Sequence, residues 1–287
     1  MKRKFGRLTA LALCLCLLLG MVGAADYSQS ILAGELTLAG SVTLQSGVLA
    51  ESGRGEKAKT VRENVLYYTM DKAVKPIVAY GNTLYGRSSM KQTATYLDDN
   101  DLMLVAGVNG AFFDMHNGIP YGLVVTEGVL RSSGNIQSVG FLDDGSAIIG
   151  QPGLKVTMET PDGAKTEIFY NKALSKNNGI GLYSRDYDTA TKGSVDGYHI
   201  LLEPVRGSGK ELLLNDSITL EVIGTLAGKA SCGIPEDGFV LSIAEKTIYA
   251  SALDQMEELE VGDRITITTE TDRDWKDVQY ACGGGDL

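Results

Sequence analysis

A chain of 287 residues that is 44% hydrophobic and 22% charged holds enough apolar material for one large domain or two small ones, which excludes a disordered chain. Its formal net charge of −10 argues against nucleic acid as a partner, and two histidines leave little for zinc sites built on imidazole. Lys2, Arg3, Lys4 and Arg7 precede an apolar run from Leu8 to Val22 and then the small residues Gly23, Ala24 and Ala25, the pattern of a secretory signal. The run is shorter than the roughly 20 residues a spanning helix needs. Residues 1–25 are therefore read as a signal peptide. The mature chain is expected to be secreted or otherwise extracytoplasmic, with no stable membrane span after cleavage.

Residues 26–60 read as a lead-in segment, with short strands around Leu36 to Leu49 and a polar loop from Glu51 to Lys59. Val61 to Tyr68 and Val74 to Tyr80 are β-branched and aromatic, and the Asp71-Lys72 turn between them predicts a strand pair. Ser88 to Leu97 is predicted to be a helix capped by Ser88 or Ser89, with Met90, Ala94 and Leu97 on one face. Met103 to Val108 is a continuous apolar run that predicts a buried strand ending at Asn109-Gly110. Three hairpins follow, turning at Glu127-Gly128, Asp143-Asp144-Gly145 and Pro161-Asp162-Gly163. Strands at Tyr198 to Val205, Ile218 to Ile223, Phe239 to Ile243 and Arg264 to Thr268 and a short helix at Ala252 to Leu259 complete the pattern. The fold class expected is α+β: a single strand-rich domain over residues 61–287, with mixed and antiparallel sheets and a few helices.

Common catalytic signatures are absent: no GxSxG elbow, GxxxxGK[ST] loop, HExxH or GxGxxG occurs. His116 and His199 each stand alone and are expected at the surface. Asp186, Asp188 and Asp196 miss the calcium-loop spacing at Ala190 and Thr191, so no metal site is assigned. Of the four cysteines Cys14 and Cys16 fall in the signal; Cys232 and Cys282 are either a disulfide or two buried thiols.

The stretch VAGVNGAFFDMHNGIPYGLVV, residues 105–125, is the most informative. It reads either as a strand end with aromatic core residues or as one side of a cleft. In the second reading Asn109 supplies an amide, Asp114 a carboxylate, and Phe112 or Phe113 a wall for a sugar face. Together with GVLRSS and GFLDDGSAIIG this stretch resembles the core signature of the phosphodiester glycosidase family. VKPIVAYGNTLYGRSSMKQTATYL upstream, and IPEDGFVLSIAEK, LEVGDRITI and YACGGG downstream, resemble that family in the same order.

The resemblance implies an exported hydrolase that cleaves the bond between a sugar's anomeric carbon and a phosphodiester, with cell-surface glycopolymers as partner substrates. It carries over Asn109, Gly110, Phe113, Pro120 and Gly122, and with less of the motif Gly283, Gly284 and Gly285. It does not say which carboxylate is catalytic; Asp114 is the first choice from chemistry. The family has a further Asn-Leu-Asp-Gly-Gly-Gly-Ser region that is not in this sequence, so the domain is expected to be incomplete at its C-terminal end. That gap keeps open the alternative of a secreted, non-catalytic glycan- or wall-binding module with the same fold. Phosphate leaves more readily than an alcohol, so the enzyme needs less general-acid help than an ordinary glycosidase. Glycine-rich turns such as Gly110 and Gly283 to Gly285 could then cradle the phosphate with backbone N–H groups. No cofactor is expected, and a divalent cation is left open.

Overall fold

The structure is a computed structural model and describes residues 29–51, 59–69 and 73–284. The expected signal peptide, most of the polar loop up to Lys59, the Asp71-Lys72 turn and Gly285 lie outside the described residues. By its internal contacts the chain divides after Thr69 into two units.

In the first unit β1 (Gln29–Ala39), β2 (Val42–Glu51) and β3 (Lys59–Tyr68) form an antiparallel sheet in that order. The Val61 to Tyr68 run thus pairs with β2 in an unbroken register from Val42 opposite Tyr68 to Glu51 opposite Lys59. It does not pair with Val74 to Tyr80, which forms no strand. A long β2 edge completes far more backbone hydrogen bonds than the short run after the turn can offer, and that decides the pairing. Cross-strand side-chain bonds support the register: Ser46 Oγ donates to Asn64 Oδ1 at 2.8 Å, and Gln45 to Glu35 at 2.8 Å.

The second unit is strand-rich with two helices. Helix α1 (Met90–Asp99) starts where the sequence predicts, because Ser89 and Gln92 form a reciprocal capping box. Next come β4 (Val124–Thr126), β5 (Val129–Ser132), β6 (Ser138–Leu142), β7 (Ala147–Gly150), β8 (Lys155–Glu159), β9 (Lys165–Glu167), β10 (Phe169–Tyr170), β11 (Gly181–Tyr183), β12 (Gly197–Pro204), β13 (Ser217–Lys229) and β14 (Phe239–Ala244). Helix α2 (Ala250–Glu257), β15 (Arg264–Glu270), a 3-10 turn (Arg273–Trp275) and β16 (Val278–Gly283) follow. Eight strands form a sheet in the order β10-β11-β14-β12-β13-β15-β8-β9, and five form a second in the order β5-β4-β16-β6-β7. Neighbours run antiparallel except β10 and β11, so the larger sheet is mixed.

All three predicted hairpins are present, as β4/β5, β6/β7 and β8/β9. Their turns hold Glu127, Gly128, Gly145 and Gly163 at positive φ, which is why glycine recurs there. The larger of two buried clusters bridges the sheets, and the smaller gathers Val124, Tyr183 and Val240 with Leu84 and Tyr187. Leu123, Val125, Leu130, Val278 and Ala281 of the smaller sheet join Ile200, Leu202, Leu220, Leu241, Ile243, Ile265 and Ile267 of the larger. β14 is buried along its whole length, which its unbroken FVLSIA sequence requires.

Two expectations fail here. Met103 to Val108 forms no strand, and Met103 and Val108 are 86% and 75% exposed. Apolar composition favours burial, but a strand also needs a neighbouring edge, and among the described residues none pairs with this run. His199 is fully buried in β12 rather than at the surface. Its ring is satisfied on both sides, with Ser242 Oγ 2.7 Å from Nδ1 and the Lys229 carbonyl 2.7 Å from Nε2.

Candidate functional site

The loop between α1 and β4 is organised by its own polar residues. Asp114 Oδ1 accepts the His116 N–H at 2.8 Å, Asn117 Nδ2 donates to Asp114 Oδ2 at 3.1 Å, and the Ile119 N–H donates to Asn117 Oδ1 at 2.9 Å. The Gly118 N–H closes the turn on the Asp114 carbonyl, and Phe113 and Pro120 face each other across the returning chain. Gly118 has φ +80°, and a Cβ there would sit 1.6 Å from the Gly86 carbonyl oxygen. Only glycine fits that turn.

This loop forms one wall of a cleft of about 420 Å³. Asp114, Asn117, Pro120 and Tyr121 line that wall; Gly134 and Asn135 of the β5–β6 connection line another; Glu167, Phe169, Lys172 and Asn178 close the third. The cleft therefore carries two carboxylates, one ammonium, three side-chain amides and two aromatic rings. Such a mixture suits a polar ligand with apolar faces, as a sugar ring has.

Lys172 is the residue that composition and motif gave no reason to choose. Asn171, at φ +52° and fully buried, turns the chain sharply after β10 and holds the turn through Nδ2 bonds to the Arg131 carbonyl and to Ser184 Oγ. That places Lys172 Nζ against the backbone of the opposite loop, where it donates to the carbonyls of Pro120 at 2.5 Å, Gly122 at 3.1 Å and Tyr121 at 3.3 Å. Burial pushes the ammonium down to about 7. Three carbonyl acceptors match the three N–H bonds of the charged form and act in the opposite sense. The detectable signal was local: an Asn at the end of a short strand is a common left-handed turn residue.

The other residues chosen from the sequence fall into two groups. Gly110, Gly122 and Gly283 are gathered around the end of β16: a Cβ on Gly110 would meet Cys282 Sγ at 3.1 Å, and one on Gly122 would meet Gly283 Cα at 2.4 Å. Gly134 closes on the same point, where a Cβ would lie 2.6 Å from the Tyr121 carbonyl oxygen. These contacts explain the glycines as backbone-to-backbone packing beside the cleft. The N–H groups of Gly283 and Gly284 donate to the Leu123 and Gln137 carbonyls. Those two amides are occupied within the fold and do not offer a phosphate cradle. The second group, Asn109, Phe112 and Phe113, does not line the cleft. All three are exposed, Phe112 at 63%. Tyr121 and Phe169 supply the aromatic walls instead.

Asp186, considered above for calcium, is ion-paired with Arg131 at 3.1 Å and accepts the Tyr80 hydroxyl at 2.9 Å. Arg131 also reaches Glu211 at 3.0 Å and Thr126 Oγ1 at 2.7 Å. Desolvation is the largest single influence and works against the Arg131 charge, but Asp186, Tyr80 and Glu211 together outweigh it and hold the guanidinium above its ordinary value. The network clamps β5 to the loop after β11. Among the described residues no group of three or more acidic, histidine or cysteine side chains gathers as a metal site would require. Cys232 and Cys282 are both free thiols, and burial pushes each thiol's pKa up, which makes them weak nucleophiles. No helix among the described residues is long and apolar enough to cross a membrane.

No family model matches the chain, and no curated protein matches it. A solved structure does: the crystal structure of a hypothetical protein from Synechocystis superposes with a TM-score of 0.64 at 17% sequence identity, over 92% of this chain. The match covers 45% of that protein, so this chain spans less than half its length. At that identity the likeness concerns the fold alone.

Proposed function

We propose that this chain is an exported hydrolase of glycosyl-phosphodiester linkages, with anionic surface glycopolymers as its substrate class. The observation that supports this best is the cleft itself, which sets the Asp114 carboxylate on a rigid turn and faces it with Glu167, the Lys172 ammonium and the rings of Tyr121 and Phe169. In the reaction a water oxygen attacks the anomeric carbon, the C1–O bond breaks, and its electron pair leaves on the phosphate oxygen. A carboxylate takes the water proton; the products are a free sugar and a phosphate monoester. The departing phosphate is a weak base, so one carboxylate acting as general base carries the larger share of the acid–base work. Asp114 is assigned that role, with Glu167 as the second carboxylate.

The rival reading is a glycan-binding module without turnover. It draws on the same turn, because both Asp114 oxygens already accept hydrogen bonds within the loop. Release of free sugar from a glycosyl phosphodiester separates the two. Asp114→Asn keeps an oxygen for the His116 N–H, sets its new amide against the Asn117 Nδ2 donor and removes the charge, so one loop hydrogen bond and general-base catalysis are lost together. It is expected to lower kcat by about 10²-fold or more, against a stability loss of only about 1 kcal/mol in chemical denaturation. An unchanged kcat would remove Asp114 from the chemistry. Polymer binding by the wild-type chain with no sugar released would replace the hydrolase by the binding module.

A further inference from the structure

Resting on the reading of the cleft as a glycosyl-phosphodiester site, we infer that Asn135 is the residue that holds the ligand's phosphate, its side-chain amide acting with the backbone N–H groups of Gly134 and Asn135. Most other donors that line the cleft are already committed. The three N–H bonds of Lys172 end on the carbonyls of Pro120, Tyr121 and Gly122. Asn117 Nδ2 donates to Asp114, and Asn178 Nδ2 donates to the Ala173 carbonyl at 3.1 Å. Of the ammonium and the three amides, Asn135 alone keeps its donor end without an acceptor among the described residues.

That amide is oriented by a bond on its other side. The Gly153 N–H donates to Asn135 Oδ1 at 3.0 Å, which fixes the oxygen and leaves Nδ2 as the free end. Gly153 is itself held, because it has φ +61° and a Cβ there would lie 2.4 Å from Asp272 Oδ1. The connection that carries Asn135 is tied down at both ends. The Ser133 N–H donates to the Tyr170 carbonyl at 3.0 Å, and the Gln137 carbonyl accepts the Gly284 N–H at 2.6 Å. A donor fixed in this way gives up little freedom when a ligand arrives.

Backbone and charge point to the same wall. The N–H groups of Gly134 and Asn135 have no acceptor among the described residues, unlike those of Gly283 and Gly284. Successive N–H groups in a turn form anion-binding concavities. Residues 132–138, SSGNIQS, carry no charged side chain, whereas the carboxylates of Asp114 and Glu167 stand on the other two walls. This is the wall on which a phosphate oxygen, which can only accept, meets donors and no carboxylate.

Titration of the chain with inorganic phosphate at constant ionic strength, followed by NMR shifts of the amide groups against a chloride control, tests this directly. Saturable shifts are expected at the Asn135 side-chain amide and at the backbone amides of Gly134 and Asn135. Asn135→Asp keeps an oxygen for the Gly153 N–H and exchanges the donor for a charge, while Asn135→Ala removes the donor and adds no charge. Each should weaken phosphate binding by about 10-fold or more, with the remaining amide spectrum showing the fold intact. No saturable shift, saturation only at amides elsewhere, or full binding by Asn135→Ala would overturn the assignment. Sugar release measured alongside separates this from the fate of the hydrolase reading. Hydrolysis undiminished in both variants removes the phosphate subsite and keeps the hydrolase, whereas phosphate held at Asn135 by a chain that releases no sugar keeps the subsite and removes the hydrolase.

Discussion

Lys172 shows how much one side chain can decide. Its three bonds hold the carbonyls of residues 120–122, and through them the loop that carries Asp114, against the β10 end of the larger sheet. Lys172→Met removes every donor and leaves three carbonyls facing an apolar side chain. It is expected to cost about 2 kcal/mol in chemical denaturation, within the range for hydrogen bonds to charged groups. The glycines allow a sharper contrast, because neighbouring positions differ in the space they leave. A Cβ on Gly122 would lie 2.4 Å from Gly283 Cα, whereas one on Gly284 meets only the Gln137 carbonyl oxygen at 3.5 Å. Gly122→Ala should therefore destabilise by about 2 kcal/mol or more, and Gly284→Ala by less than about 0.5 kcal/mol. Equal costs would mean that the backbone yields at Gly122 and that the close approach is not required.

At the scale of elements, the joint between β12 and β14 carries a pH dependence. His199 and Ser242 are register partners there, and the imidazole is enclosed on all sides. Burial is the larger influence and keeps the folded His199 below its ordinary value of 6.5, although the bond to the Lys229 carbonyl and the Glu245 charge pull it upward. The unfolded chain therefore takes up this proton first as the pH falls. The stability contributed by neutral His199 is complete above about pH 6.5 and is lost as the pH falls from there through the lower folded value. Denaturation midpoints should decline below about pH 6.5 in the wild type and decline less in His199→Gln, whose amide can still serve both partners. Parallel pH profiles would assign the acid sensitivity to other groups. The hairpins behave differently: their turn residues are local, so β4/β5, β6/β7 and β8/β9 are legible in the sequence one by one. Pairing over longer distances is not, and β3 and the Met103 to Val108 run are the two places where local composition misled.

For the molecule as a whole, charge sets the terms on which an anionic polymer is met. A net charge of −10 repels such a substrate at long range, so attraction has to come from the cleft itself. Affinity for an anionic glycopolymer is expected to rise with moderate salt or a divalent cation, measured as half-saturation of binding at constant pH. A flat or falling response would show that local positive potential outweighs the net charge.

What the sequence determined by itself is what short-range rules govern: the strand-rich composition, the capped helix at Met90, the hairpin turns and the unbroken core strand β14. It also marked the loop from Asn109 to Gly122, because glycine, proline and Asx residues at such density leave few other conformations. What only the tertiary structure decided is which of those residues meet. Asp114 and Pro120 turn toward the cleft while Phe112 and Phe113 turn away, and Glu167, Phe169 and Lys172 arrive from a strand and turn some fifty residues later. The physical reason is that periodicity and turn chemistry are written in neighbouring residues, whereas a cleft is an accident of which strand edges pair. Here β16 completes the smaller sheet between β4 and β6, and in doing so brings Gly283 onto Gly122.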